Sequence, residues 1–438
     1  MQTFFTNFIN PHLSFSLCRL CCSILFFFQY CLFSTFSQEV YLNEDLRNST
    51  SKFYQLAVKA WPHFNYVAPH LLNEKKKKPK PSRDTRIRLG VASALFGPSS
   101  VTADFGETMA RLSRKIFEVI YVDVRDSRPL DSPFLLKRAS KGDQVVEIKL
   151  AYDEKDWLDE ARKSIAALDL DILLYLDLTM SNKIQRLAMS RLATVQATSH
   201  GHPVTSGIDK SVMNFFVSWG AAELPLEEAK THYTEELMML PADSLHQYYK
   251  PLISKSGVSS VTGMPFAQFD RKVLARDFNI PAEDNWYLCM QKPFKRHPLF
   301  DDLIAGVLAN DSKGLVLLHD LYIESEEHRE IIHDRLVRAG VDMNRVHFIP
   351  TLPHHVLMAF YKESDVVLDS YLAGGCTTTR EAIEVGAAVV TLPANYLGGR
   401  WSLAYFMQIG VLDTVSIMYW GFFSCFLHLL DNSDNFMK

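Results

Sequence analysis

Residues 365–393 read DVVLDSYLAGGCTTTREAIEVGAAVVTLP, and their pattern indicates the fold class of the chain. Residues 366–368 are a short apolar run, paired glycines interrupt it, residues 377–386 have helical character, and residues 387–392 are apolar again. This order predicts a strand, a glycine loop, a helix and a second strand.

The predicted helix begins directly after the paired glycines. The motif TTRE at residues 378–381 fits a capping box, in which Thr378 caps the helix and Glu381 reaches back to the cap. The first amide groups and the positive end of the helix dipole then face the glycine loop, where they favour a phosphate or diphosphate. An ordinary strand–helix crossover with capping threonines gives the same pattern, so the local sequence leaves both interpretations open.

Length and composition bound what this stretch belongs to. A chain of 438 residues, 47% hydrophobic and 22% charged, has the size and composition of a globular protein with two or three domains. The net charge of -4 gives no reason to expect nucleic acid as a partner. The seven cysteines show neither metal-ligand spacing nor a disulfide framework.

Strand and helix patterns alternate in two separate regions of the chain. The first region has predicted strands at 87–92, 117–124, 145–150 and 172–176, and predicted helices at 103–115 and 153–168. The second has predicted strands at 286–290, 315–318, 346–349 and 366–368, and predicted helices at 298–309, 327–339 and 354–362. Such alternation predicts an α/β protein with two Rossmann-like, doubly wound domains. The cleft between them lies at the carboxyl ends of their strands.

Changes in composition predict the boundaries of five segments. They are an apolar first segment at 1–38, a helical lead with a basic linker at 39–85, an amino-terminal domain at 86–285, a carboxyl-terminal domain at 286–415, and an apolar tail at 416–438. The first segment fits a signal or membrane anchor, or an incorrectly assigned start of translation. The linker KKKKPKP at 75–81 fits a solvated spacer, or a basic patch for a membrane surface. The tail fits a second membrane segment or a truncated second domain.

Two polar loops are expected at the cleft. Residues 200–207 read HGHPVTSG, in which an imidazole can handle a proton, although a surface loop after a strand fits equally. Residues 291–298 read QKPFKRHP, which places cations where a diphosphate can bind, although cations before a helix also fit solvated surface. Asp169 and Asp171 have the spacing of a metal-binding DxD motif but lead into a strand, so we expect no metal ion.

Four segments in this order resemble the catalytic region of the O-GlcNAc transferase family, which includes SPINDLY-like proteins. The segments are HGHPVTSG, HYTEELMMLP, MQKPFKRHP and LDSYLAGGCTTTREAIEVGAAVVTLP, and the resemblance covers about residues 86–415. It implies a GT-B fold and a metal-independent, inverting transfer of a sugar, most simply GlcNAc, from a UDP-sugar to protein Ser or Thr hydroxyls. It also implies that no cofactor is needed, because the UDP-sugar is a co-substrate. The tetratricopeptide repeats usual in the family are not visible.

The resemblance assigns roles to residues of this chain. Lys295 matches the lysine that neutralises the diphosphate as UDP leaves, Thr377 and Thr378 match the paired threonines that hold the phosphates, and Glu381 resembles the acidic residue that meets the ribose. The same resemblance implies backbone contacts to uracil around Leu352 and His354 and a contact of Gln291 near the diphosphate. It also implies contacts within the glycine turn from Gly375 and Cys376.

Some positions depart from the family pattern. Where the animal enzymes carry an active-site histidine, this chain reads FGPSS at residues 96–100. We therefore predict His202 as the acceptor-side catalytic group. Cys376 stands where many members have a histidine or asparagine, and Leu357 where the animal enzymes stack a histidine on uracil. After residue 415 the sequence no longer follows the family, so an incomplete second domain is expected.

Three functional interpretations remain open at this point. The first is protein O-glycosylation from UDP-GlcNAc. The second is a transferase of the same fold that uses glucose or fucose, or that modifies Asn. The third is an inactive nucleotide-binding or membrane-tethered remnant. The resemblance implies a cytoplasmic or nuclear location, and a real anchor at the amino terminus would place the protein at a membrane.

Overall fold

The structure is a computed structural model. It describes residues 46–72, 86–97, 99–124, 142–148, 157–178, 180–201, 203–244, 247, 251–320 and 326–416. The predicted apolar first segment, the basic linker and the tail beyond Ser416 lie outside these described residues. Within them, no helix combines the length and the apolar character that crossing a bilayer requires.

The first sheet has seven strands, all parallel to their neighbours. They are β1 (Ile87–Ser93), β2 (Phe117–Asp123), β3 (Gln144–Glu147), β4 (Ile172–Tyr175), β5 (Val195–Ser199), β6 (Phe215–Trp219) and β7 (Glu236–Leu240). The helices of this part are α1 (Leu46–Ala60), α2 (Pro69–Leu72), α3 (Ser100–Arg111), α4 (Trp157–Ala166), α5 (Asn182–Ala188) and α6 (Leu226–Ala229). The strand order is β3-β2-β1-β4-β5-β6-β7, so the direction of winding reverses between β1 and β4.

Alternate residues of β1 explain why helices cover both faces of this sheet, because successive side chains of a strand point to opposite sides. Val91 packs in one apolar cluster with Val101 and Phe105 of α3. Ala92 packs in another cluster with Ile165 of α4. A strand buried on both faces is the pattern that a doubly wound sheet requires.

The second sheet has five parallel strands. They are β8 (Asn285–Cys289), β9 (Gly314–His319), β10 (Val346–Ile349), β11 (Val366–Leu368) and β12 (Val389–Val390). The helices are α7 (Arg271–Phe278), α8 (Pro298–Asn310), α9 (Glu326–Arg338), α10 (His354–Glu363), α11 (Thr377–Glu384) and α12 (Trp401–Ile409). The order β10-β9-β8-β11-β12 places the reversal between β8 and β11.

The predicted α/β class with two doubly wound sheets is confirmed. The strands β5, β6 and β7 and the helix α5 were not predicted. The predicted strand at 387–392 was too long, since the second sheet pairs at Val389 and Val390 alone. Thr391 instead bridges to Val415 and donates its hydroxyl to Asp369, so this segment turns away from the sheet.

The last described helix connects the second sheet to the first. Trp401 and Tyr405 of α12 pack in one buried cluster with Phe216 and Trp219 of β6. Helix α12 therefore buries apolar side chains of the second half of the chain against the first sheet.

Candidate active site

The loop after β8 and the turn after β11 meet where the order of the second sheet reverses. The amino group of Lys295 donates hydrogen bonds of 3.2 Å to the Gln291 side-chain oxygen and to the backbone oxygen of Gly374. The Gln291 amide in turn donates to the Thr378 hydroxyl at 2.5 Å. The structure thus brings together Lys295, Gln291, Thr378 and the glycine turn, all of which the sequence predicted for the diphosphate.

The predicted capping box is wrong. Cys376 occupies the cap position of α11, but its side chain makes no capping hydrogen bond. Thr378 lies inside the first turn of the helix. The Thr378 hydroxyl accepts from Gln291, while Glu381 lies beside His354. The first backbone N–H groups of α11 therefore have no capping side chain, and first-turn amides have no partner within their own helix. These donors and the positive helix end favour an anion at the turn.

The glycine turn is shaped by contacts that exclude a side chain. A Cβ atom on Gly375 would lie 2.5 Å from the Thr378 Oγ1 and 2.6 Å from the Gln291 Nε2, and one on Gly374 would lie 2.9 Å from a carboxylate oxygen of Asp369. Both glycines are therefore needed to bring the turn against its neighbours.

The side chain of Asp369 holds the glycine turn in place through hydrogen bonds, and the sequence did not predict this role. One carboxylate oxygen accepts from the Gly375 backbone N–H at 2.6 Å, and the other accepts from the hydroxyls of Ser402 at 2.6 Å and Thr391 at 2.9 Å. Burial raises the pKa of Asp369, while these hydrogen bonds and the charge of Lys295 act in the opposite direction. The available signal was a carboxylate directly after a predicted strand and before the glycines.

Lys295 is a half-buried cation that can stabilise a negative charge beside the glycine turn. Its desolvated surroundings lower its pKa from 10.5, and the nearby carboxylate of Asp369 partly opposes this. In the described structure both hydrogen-bond partners of its amino group are neutral oxygens. Because a desolvated cation without a bonded counter-charge is costly, an anion at this position is favoured.

The residues predicted for the nucleoside also lie together. His354 begins α10, and its Nδ1 is 2.8 Å from the hydroxyl of Ser259. Its Nε2 is 3.3 Å from a carboxylate oxygen of Glu381. Leu352 precedes α10 and packs against the apolar cluster beneath that helix. No sequence pattern singled out Ser259 for this contact.

The acceptor side is described in part. His202, the predicted catalytic group, lies outside the described residues. Its neighbour His200 is buried, stacks on Phe105 with ring centroids 4.5 Å apart, and lies 4.7 Å from Trp401. Ser99 caps α3 by accepting from a backbone N–H, so this hydroxyl has a structural role at the loop without a histidine.

Cys376 points toward the contact between the two sheets. Its sulfur lies 3.1 Å from the Tyr405 hydroxyl, and it accepts from the Gln247 amide at 3.7 Å. Burial raises the pKa of the Cys376 thiol to about 11, so the thiol is protonated at neutral pH.

The expectation that no metal is needed stays a prediction. Across the described ranges, no group of three or more His, Cys, Asp or Glu side chains is placed to hold an ion. Asp171 accepts from the backbone N–H of Arg88 at 2.8 Å, which is the strand-start role expected for it.

The fold is similar to that of a glycosyltransferase of solved structure. No family model and no curated protein sequence matches the chain. A mutant of the Thermobaculum terrenum O-GlcNAc transferase aligns with a TM-score of 0.66 and 20% identity, over 87% of this chain and 66% of that one. The predicted GT-B architecture and the resemblance to this transferase are confirmed at the level of the fold. The chain spans about two thirds of the length of that structure.

Two further solved structures are more distant. HepE of Anabaena, in complex with UDP and glucose, has a TM-score of 0.44 and 11% identity, over 74% of this chain and 89% of that one. Sucrose-phosphate synthase of Thermosynechococcus elongatus has a TM-score of 0.41 and 13% identity, over 70% and 82%.

Proposed function

We propose that this protein is a glycosyltransferase that moves a sugar, GlcNAc before others, from a UDP-sugar to Ser or Thr hydroxyls of proteins. The reaction inverts the anomeric centre and needs neither metal nor cofactor. The observation that carries the proposal is the amino group of Lys295, bonded to neutral oxygens and set against the glycine turn that precedes α11. The shared fold with an O-GlcNAc transferase supports the same conclusion.

The donor diphosphate binds between Lys295 and the first turn of α11. The backbone N–H groups of Thr377 and Thr378 and the Thr378 hydroxyl donate to phosphate oxygens, and Lys295 supplies the positive charge. When the bond between the sugar and the diphosphate breaks, negative charge grows on the leaving UDP. Fixed donors and a cation stabilise that charge more than they stabilise the bound donor, and such differential stabilisation accelerates the step.

The nucleoside half of UDP binds next to the diphosphate, at the start of α10. Glu381 accepts from a ribose hydroxyl, His354 lies beside it, and the backbone around Leu352 contacts the uracil. Because His354 Nε2 and a Glu381 oxygen are 3.3 Å apart, a ribose hydroxyl that reaches one of them is within reach of the other.

The acceptor approaches from the side of the first sheet. Its hydroxyl oxygen attacks the anomeric carbon opposite the leaving UDP, and its proton passes to a base on that side. His202 is our candidate for this base, since imidazole titrates near neutral pH.

A transfer assay tests the proposal. The full chain is incubated with UDP-GlcNAc, UDP-glucose or GDP-fucose and with protein acceptors that offer Ser and Thr or offer Asn, and sugar on the acceptor is measured by mass spectrometry. Transfer from UDP-GlcNAc to Ser or Thr supports the proposal. Transfer from another donor, or to Asn, selects the related transferases in its place.

A second candidate is a protein that binds the nucleotide without transferring a sugar. The observation that favours it is Ser99, which caps α3 at the loop where the animal enzymes carry a histidine. Tight binding of UDP without transfer to any acceptor would select this candidate.

A further inference from the structure

A buried ion pair joins the two halves of the cleft beside the donor site. The carboxylate of Asp104, on α3 of the first sheet, accepts from the guanidinium of Arg380, on α11. Both residues are less than a tenth exposed. Asp104 also accepts from the Thr377 hydroxyl at 3.3 Å. One carboxylate therefore binds two side chains in the first turns of the helix proposed to hold the diphosphate.

The Asp104 carboxylate stands where an anionic oxygen of a ligand would be expected. Its Oδ1 accepts from a threonine hydroxyl and from a guanidinium, which are donors that phosphate oxygens also use. The Thr377 hydroxyl has one proton, so it cannot donate to Asp104 and to a phosphate at the same time. The negative charge of a carboxylate beside the proposed phosphate site also repels an incoming diphosphate.

Other contacts hold Arg380 in place independently of Asp104. Its guanidinium donates to the Gln247 side-chain oxygen, which also accepts from the Tyr405 hydroxyl at 3.0 Å. The guanidinium carbon lies 5.7 Å from the centre of the Tyr405 ring. These partners keep the positive charge beside the start of α11 when the carboxylate moves away.

We propose that Asp104 is a built-in competitor of the donor diphosphate, and that Arg380 is a second phosphate-binding cation besides Lys295. In the closed arrangement described here, Asp104 occupies Arg380 and the Thr377 hydroxyl. Withdrawal of α3 from α11 releases both donors to the diphosphate, so donor binding is coupled to a separation of the two sheets at this point. This inference rests on the proposed function, because it concerns the same donor site.

Because Asp104 and Arg380 carry opposite charges, substitutions of the two residues should change UDP affinity in opposite directions. Asp104→Asn keeps the shape of the side chain and removes the competing charge, so UDP should bind about fivefold or more tightly. Arg380→Met removes the second cation and leaves the carboxylate, so UDP should bind about tenfold or more weakly. The double variant should bind UDP with an affinity between those of the two single variants.

The experiment is a calorimetric titration of the wild-type chain and the three variants with UDP and with uridine. Uridine has no phosphate, so its affinity should change less than twofold or so in every variant. Asp301→Asn is the matched control, since it breaks another interior carboxylate–arginine pair, to Arg335 at 2.6 Å, within the second sheet's own domain. This control should lower the melting temperature and leave UDP affinity unchanged.

The outcomes distinguish the competition between Asp104 and the diphosphate from the proposed function itself. Opposite shifts for the two single variants, seen with UDP and not with uridine, support the inference. Shifts in the same direction, or equal shifts with uridine, overturn it and make the pair a structural contact, while UDP binding by the wild type leaves the proposed function standing. Absence of UDP binding by the wild type overturns both.

Discussion

The side-chain amide of Gln291 donates a 2.5 Å hydrogen bond to the hydroxyl of Thr378 and so joins the loop after β8 to the first turn of α11. The same Gln291 accepts from Lys295 through its oxygen. Side chains that are 87 residues apart in the chain are thereby fixed in one geometry. Such preorganised donors are what a site for a departing diphosphate requires.

The hydroxyl of Thr378 is the first group to test. Thr378→Val keeps the shape of the side chain and removes the donor, so the dissociation constant of UDP should rise about tenfold, which corresponds to about 1.4 kcal/mol. Thr379→Val is the control, because the Thr379 hydroxyl bonds to Ser402 inside the protein. It should lower the melting temperature and leave UDP affinity unchanged. Equal losses of affinity in both variants would contradict the assignment.

The charge of Lys295 should matter more for transfer than for folding. Lys295→Ala removes the cation that stabilises the leaving UDP, so kcat should fall about 100-fold to 1,000-fold while the far-UV spectrum stays the same. Lys292→Ala is the matched control, since Lys292 is exposed in the same loop. Its kcat should stay within about twofold of the wild type. Unchanged turnover in Lys295→Ala removes this residue from the mechanism.

The pH dependence of transfer follows from the same lysine. The desolvated position lowers the pKa of Lys295 from 10.5, with Asp369 acting in the opposite direction. Because the charged form of Lys295 is the active one, kcat/KM should fall on the alkaline side of its profile as pH rises, with a midpoint below 10.5. In Lys295→Arg the side chain stays charged, so this alkaline loss should disappear. If activity falls with the same alkaline midpoint in the wild type and in Lys295→Arg, the titrating group is not Lys295.

Asp177 should make stability depend on pH. It is fully buried after β4, and burial raises its pKa from 3.8 to about 7, while the backbone N–H of Ala94 and the hydroxyl of Ser93 oppose this and Asp123 adds to it. The folded state thus favours the protonated form, so its stabilising contribution is complete below pH 3.8 and is lost as pH rises through about 7. The loss is on the order of 4 kcal/mol.

Thermal unfolding at several pH values checks this. Asp177→Asn has no charge to bury, so it should melt at a higher temperature than the wild type at pH 8 and at about the same temperature near pH 4. Asp302→Asn, at an exposed position of α8, is the control and should leave the pH profile unchanged. A destabilised Asp177→Asn at pH 8 would show that the ionised carboxylate is needed for the fold.

The sequence predicted the parts of the fold that are built from continuous apolar runs. β1, β8, β9 and β11 lie within about one residue of their predicted positions because most of their residues are buried. β5 was missed because it contains Gln196, whose side chain is buried and bonded to backbone groups of neighbouring loops. Hydropathy cannot distinguish such a satisfied polar residue from one in a loop.

The candidate site was predictable where its residues lie close to a strand end, and unpredictable where they meet across the two sheets. Lys295 and Thr378 were found from their loops and from the family resemblance. Asp104 and Arg380 are 276 residues apart and carry no local signal, so only the packing of α3 against α11 reveals the pair. The capping box failed because a tertiary partner, Gln291, bonds the hydroxyl that a cap would have used.

A crystal structure of the chain with bound UDP would show whether the diphosphate lies between Lys295 and the first turn of α11. We expect phosphate oxygens within about 3 Å of the Lys295 amino group and of the backbone nitrogens of Thr377 and Thr378. We also expect the hydrogen bond from Lys295 to Gly374 to be replaced by one to phosphate. UDP bound elsewhere, with Lys295 still bonded to Gln291 and Gly374, would show that this turn is not the diphosphate site.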